Sequence, residues 1–150
     1  LDSELTKNYH LYNFLSGNLK DALAAADLVI SRAGNNVIAE LAALSKAAIL
    51  IPLASSANGH QVSNAKILSR MGAVMLVLQD SLSARSLERK IDYLFDNPEE
   101  RNGLANKLSK FSSPEAAGGV ADIVYSLGKS FAEETKTEEE DPEQASEETK

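Results

Sequence analysis

Gly34 and Glu40 are the residues in this 150-residue sequence best placed to meet a ligand. Gly34 closes the run Ser31-Arg32-Ala33-Gly34, which follows the apolar stretch Leu28-Val29-Ile30 and leads through Asn35-Asn36 into a helical pattern. A strand that ends at a glycine turn and opens a helix presents the helix's first amides, which have no internal partners, at the positive end of its dipole. A diphosphate fits such a mouth. Glu40 lies one turn in, on the same stripe as Asn36, and helical side chains lean toward the N-terminus, so its carboxylate can reach the mouth. Beside a phosphate that charge repels. Beside a sugar with two adjacent hydroxyls, such as ribose, one carboxylate accepts two hydrogen bonds. The plainer reading is a turn glycine and a solvated helix acid. A dinucleotide fingerprint is not present, since Gly-x-Gly-x-x-Gly does not follow the strand.

Two further junctions carry polar or backbone groups that suit a ligand. After Ile49-Leu50-Ile51-Pro52, a polar loop ends in His60-Gln61 at the start of a helix, with Asn64 one turn on. Imidazole and amide groups there can bond sugar hydroxyls or phosphate oxygens, and the plainer alternative is an ordinary helix cap. His60 has no neighbouring carboxylate in sequence to orient it as a base. At Phe14-Leu15-Ser16-Gly17 a strand end can offer backbone N–H and C=O groups to a flat base, or simply turn.

The elements that must position these groups alternate. Leu11–Leu15 reads as a short strand. Asn18 caps a helix through Ala26, with Asp21 completing a capping box. Leu28–Ile30 is a strand, 36–44 a helix, 48–51 a strand, 60–71 a helix and 73–78 a strand. Leu87, Ile91, Leu94 and Phe95 fall at helical spacing. So do Ala116, Val120, Ile123, Val124 and Leu127, after Ser113 as cap and Pro114 at the first helical position, with Gly128 as the stop. These late helices are amphipathic and should pack on something. Strands alternating with helices imply βαβ units and a parallel sheet, and continuous apolar strands imply a sheet covered on both faces. The fold class is α/β, and ligands of such sheets gather beyond the carboxyl ends of the strands.

Residues 132–150 hold nine acidic side chains and two lysines, which is the whole of the net charge of −7, so residues 1–131 sum to zero. The body has no basic excess for a phosphate backbone, which disfavours nucleic acid. The tail from about 131 should be disordered, being charged and poor in apolar residues. With no cysteine and only His10 and His60, neither a thiolate zinc site nor a His-rich metal site is expected. No apolar run approaches the roughly 18 residues of a membrane span. The chain opens at Leu1 on polar, patternless residues, and its natural N-terminus is expected upstream.

Taken in order, Ala24-Ala25-Ala26-Asp27-Leu28-Val29-Ile30-Ser31-Arg32-Ala33-Gly34, Ala39-Glu40-Leu41-Ala42-Ala43, Ile49-Leu50-Ile51-Pro52-Leu53, His60-Gln61-Val62-Ser63-Asn64-Ala65 and Met71-Gly72-Ala73 form a pattern. Over roughly residues 11–128 it resembles the C-terminal domain of MurG-type UDP-N-acetylglucosamine:N-acetylmuramyl-(pentapeptide) pyrophosphoryl-undecaprenol N-acetylglucosamine transferases. The resemblance implies the donor-binding, Rossmann-like half of a GT-B fold, a glycosyltransferase that inverts the anomeric centre, and UDP-GlcNAc as ligand. It would make Glu40 the ribose carboxylate. Gly34, Asn35 and Asn36 would be the helix mouth near diphosphate and sugar. His60 and Gln61 would be the paired polar contacts, and Leu15 the backbone that reads uracil. Arg32 and Asn64 complete the expected substrate-binding set.

There are departures. Asn35-Asn36-Val37 stands where the family often has a threonine that reaches a phosphate, and His60 replaces the first glutamine of a pair. The family's first strand and glycine-rich loop are not seen upstream of Leu11. The expected layout is a poorly defined segment 1–10, a nucleotide-sugar-binding domain 11–130 and an acidic tail 131–150.

The implied reaction adds GlcNAc to lipid-linked muramyl-pentapeptide for peptidoglycan, on the cytoplasmic side, peripheral to the inner face of the membrane. The catalytic base and acceptor site would lie on an N-terminal domain or a membrane partner subunit, so the chain alone should not turn over. No cofactor is expected. Two rival readings are a donor-binding subunit of a two-part GlcNAc transferase and a non-catalytic α/β domain.

Overall fold

The computed structural model describes residues 7–15, 17–56 and 59–139, with side chains placed as far as residue 130. The chain divides into two compact units, Leu1–Ser112 and Ser113–Lys150.

The first unit is built on three parallel strands: β1 (Leu28–Ser31), β2 (Ala47–Leu50) and β3 (Met75–Leu76), in the order β1-β2-β3. Leu28 is in register with Ala47 and Ser31 with Leu50, while Ile49 and Leu50 face Met75 and Leu76. Helix α1 (Leu19–Ala25) precedes the sheet. Helices α2 (Asn35–Ala43) and α3 (His60–Arg70) make the crossovers, and α4 (Ala84–Asp96) and α5 (Pro98–Ser109) follow a short 3₁₀ turn at Gln79–Ser81.

Central β2 explains why both faces of the sheet are covered. All four of its residues are buried. Successive strand side chains point to opposite faces. Ala48 and Leu50 therefore join a cluster with Leu41, Ala42, Ala65 and Leu68 from α2 and α3. Ile49 and Ile51 join another with Val77 and Leu94. Helix α5 serves both, giving Leu104 to the second cluster and Leu108 to the first.

Several sequence expectations are corrected. Residues 11–15 form no strand; Leu11, Tyr12 and Phe14 are exposed, so no sheet face holds that stretch extended. Asn18 stands at the N-cap of α1 without a side-chain cap bond, so the Asn18–Asp21 capping box does not form. A capping box does form at α4, where Ser83 and Ser86 exchange side-chain and backbone bonds of 2.9 and 3.1 Å. The third strand is shorter than the apolar run 73–78, since only Met75 and Leu76 find partners on β2. Helix α5 is an element that hydrophobic spacing did not reveal. Its start signal, Asn97-Pro98-Glu99-Glu100, is one that places proline and acids in a first turn.

The second unit is described by itself. Helix α6 runs Ala116–Glu139, starting past Pro114 and continuing through Gly128, which therefore does not end it. The backbone of residues 131–139, assigned by composition to the acidic tail, continues this helix. Alanine, glutamate and lysine are strong helix formers, which outweighs the lack of apolar residues there. Residues 140–150 lie outside the described residues. Val120, Ile123, Val124 and Leu127 of α6 are exposed.

Candidate functional site

The site assembles at the carboxyl ends of the strands. Helix α2 begins directly after β1, with Gly34 as N-cap in an extended conformation (φ −73°, ψ 147°). The turn thus does not need glycine's left-handed freedom, contrary to its reading as a turn glycine. A Cβ placed on Gly34 would meet no atom within 4 Å. What the glycine supplies is open space in front of the first amides of α2, where an anion can approach backbone closely.

One helical turn beyond Asn36, Glu40 lines a cavity of about 600 Å³. The other walls are Phe14, Leu15 and Gly17 from the segment before α1, Leu19, Lys20 and Leu23 from α1 itself, and Ala43 and Leu44 where α2 ends. Two residues singled out from separate stretches of sequence, Leu15 and Glu40, are therefore brought into one cavity. Its walls are mainly apolar, with Glu40 and Lys20 as the charged residues, a combination that suits a flat ring joined to a diol. Lys20 was missed in the sequence because it reads as one more charge on a short helix. Gly34, Asn36, His60 and Gln61 do not line this cavity.

The polar loop after β2 forms a second group. Gly59 caps α3 with a positive φ of 65°, which favours glycine, and His60 and Gln61 follow as the first residues of the helix. Gln61 Oε1 accepts the Leu53 amide at 3.0 Å. That contact fixes which way round the side-chain amide sits and leaves its Nε2 hydrogens as the group Gln61 offers. His60 is exposed. Asn64 Nδ2 donates to Asn35 Oδ1 at 2.6 Å, tying the second turn of α3 to the first residue of α2.

Arg32 behaves differently from its neighbours. Its Nη1 donates to the Ile51 carbonyl at 3.1 Å and to Gln79 Oε1 at 3.2 Å. Gln79 was not read as part of the site, although it follows β3 at the strand end where ligands of such sheets gather. Among the described residues, no group of three or more histidine, cysteine, aspartate or glutamate side chains could hold a metal ion.

Comparison with known proteins gives the chain a family. Residues 2–143 match the glycosyltransferase family 28 C-terminal domain. The chain belongs to that family. This family 28 domain is 39% identical over 110 residues to the UDP-N-acetylglucosamine–N-acetylmuramyl-(pentapeptide) pyrophosphoryl-undecaprenol N-acetylglucosamine transferase of Thermoanaerobacter sp. (strain X514), covering 73% of the chain and 30% of that relative. It is 35% identical over 127 residues to the enzyme of the same name from Clostridium botulinum (strain Langeland / NCTC 10281 / Type F), covering 84% of the chain and 35% of the relative. Among solved structures it resembles Acinetobacter baumannii MurG with a TM-score of 0.68 and 28% identity, over 75% of this chain and 32% of that one. The family 28 domain therefore spans about a third of the length of the relatives it matches. The parallel sheet with helices on both faces is the C-terminal half of the GT-B fold expected from the sequence.

Proposed function

We propose that this family 28 domain binds UDP-GlcNAc as the donor half of an inverting transferase that adds GlcNAc to a lipid-linked muramyl-pentapeptide. The observation that carries the reading is the cavity shared by Leu15 and Glu40, one helical turn from the open mouth of α2. Its apolar walls suit uracil, whose edge the backbone at Leu15 can bond. The Glu40 carboxylate accepts from the two ribose hydroxyls. The diphosphate then falls toward Gly34, Asn35 and Asn36, where free amides and the helix dipole meet its charge. Gln61, held by Leu53, donates to a phosphate oxygen or a sugar hydroxyl, and His60 and Asn64 flank it.

In the reaction, the acceptor hydroxyl attacks the anomeric carbon from the face opposite UDP, the glycosidic bond to the diphosphate breaks, and UDP leaves. Charge grows on the departing β-phosphate, and prepositioned donors at the α2 mouth stabilise it without rearranging. The chain supplies no step from a general base in this account. We place the base, the acceptor site and the contact with the inner face of the membrane in the portion of the relatives that this chain does not match. No helix of the described residues is long and apolar enough to cross a membrane.

Calorimetric titration of UDP-GlcNAc into wild type and Glu40→Ala tests the reading. Saturable binding that weakens at least tenfold in the variant is expected, since two charge-assisted hydrogen bonds are removed. Equal affinities would take the ribose away from Glu40.

A further inference from the structure

The hydrogen bonds around the strand ends form a closed circuit. Starting at Asn35, the path crosses to Asn64 at 2.6 Å. It runs back one helical turn to Gln61 and crosses to the Leu53 amide at 3.0 Å. It follows the chain to Ile51, whose carbonyl accepts from Arg32 Nη1 at 3.1 Å, and returns through Ala33 and Gly34 to Asn35. Gln79 braces the circuit from beyond β3 by accepting from the same Arg32 nitrogen at 3.2 Å. The side chain of Arg32 thus spans the carboxyl ends of β1 and β2 and the exit of β3. These ends carry the two polar halves of the site, the α2 mouth and the Leu53–Gln61 corner.

We infer that Arg32 and Gln79 are positioning residues that hold these two halves at a fixed separation, and that Arg32 acts through this clamp and not by touching the donor. A planar guanidinium with several donors in a rigid fork is suited to this work, because one side chain can satisfy acceptors on different elements at once. Gln79 is uncharged and gives Arg32 its Oε1; its Nε2 hydrogens are donors in their own right, so the clamp is read from ligand-free amide exchange as well as from affinity. The inference rests on the donor-site reading above for its functional consequence, while the clamp itself is a property of the free protein.

The test uses the full 150-residue chain. UDP-GlcNAc affinity is measured by calorimetry for wild type, Gln79→Leu, Arg32→Ala and the double variant. Amide exchange at Leu53 is followed without ligand in the same proteins and in Gln79→Glu. The expected result is about threefold weaker binding in Gln79→Leu, because the Arg32–Gln79 bond is exposed and acts only by holding the two halves in place. The double variant should bind no more weakly than Arg32→Ala, because both changes break one clamp. Leu53 should exchange faster in Gln79→Leu and Arg32→Ala, and return to wild-type protection in Gln79→Glu, which restores an acceptor. If Gln79→Leu binds like wild type while Arg32→Ala loses affinity, Arg32 touches the donor and the inference is overturned. If wild type binds no UDP-GlcNAc, the proposed function fails, and the clamp is judged by exchange alone: unchanged protection of Leu53 in both variants overturns it.

Discussion

Gln61 and Leu53 are joined by a hydrogen bond in which the side-chain oxygen accepts the backbone amide at 3.0 Å. The bond separates the two ends of one side chain by role, the oxygen holding the loop and the nitrogen left to donate elsewhere. Gln61→Glu keeps an oxygen for Leu53 and removes both N–H donors. We expect its stability to stay within about 0.5 kcal/mol of wild type. Affinity for UDP-GlcNAc should fall at least tenfold, through lost donors and added repulsion of the diphosphate. Thermal unfolding and calorimetry on one preparation check both halves. Undiminished affinity would remove Gln61 from the donor site.

Gly34 permits a second separation of fold from binding. Its backbone is in an ordinary extended conformation, and an added methyl meets nothing within 4 Å. Gly34→Ala should cost only about 0.5 kcal/mol, the scale of exchanging glycine for alanine at a helix N-cap. The same methyl would occupy the space through which a diphosphate reaches the α2 amides, so donor affinity should drop at least tenfold. A variant that folds and binds normally would place the diphosphate elsewhere.

Lys46 anchors a wall of the cavity from a distance. Its Nζ donates to the carbonyls of Ala24 and Ala26, at 2.6 and 3.0 Å, where α1 ends. Helix α1 spans Leu19–Ala25, with no basic residue in its own last turn. A helix so short depends on outside contacts, and a cation at its C-terminus also meets the dipole. Lys46→Met should lower stability by about 1 kcal/mol, part of the interaction being screened by solvent. It should also weaken UDP-GlcNAc binding by loosening Leu19, Lys20 and Leu23. Urea titration and calorimetry test the pair of effects; intact affinity would show that α1 does not shape the ligand's pocket.

Leu94 and Phe95 are adjacent on α4 but differ in burial, 0% against 50% exposed. Leu94→Ala should cost about 3 kcal/mol, from lost burial and the cavity left among Ile49 and Val77. Phe95→Ala should cost about 1 kcal/mol or less, mainly the stacking of Arg101 on the ring at 5.4 Å. Urea midpoints order the two variants, and equal losses would contradict the packing described.

These residues also show what was readable in the sequence. The strand at Leu28–Ile30, the helix after Gly34 and the loop before His60 were legible because each joins an apolar run to a polar junction, a pattern set by local chemistry. The position of Glu40, one turn inside α2, was legible from helical spacing alone. The partnership of Arg32 with Gln79 was not, since nothing in either residue's neighbourhood encodes a hydrogen bond across the sheet. Helix α5 was passed over because its apolar residues are few and divide between two clusters, blurring the stripe on which helical spacing is judged. Leu11–Leu15 misled for the opposite reason: it is apolar enough for a strand, yet strand formation depends on a neighbour that composition does not supply.

Leu104 and Leu108 of α5, like Ile49 and Leu50 of β2, each belong to a different face of the sheet. Opening either face disturbs the same two elements, so the layers behave as one cooperative unit rather than two independent ones. Any ligand that binds only the closed form stabilises the whole of that unit by mass action. A nucleotide sugar at the mouth of α2 should then slow amide exchange around Leu94, on the side of the sheet it never touches.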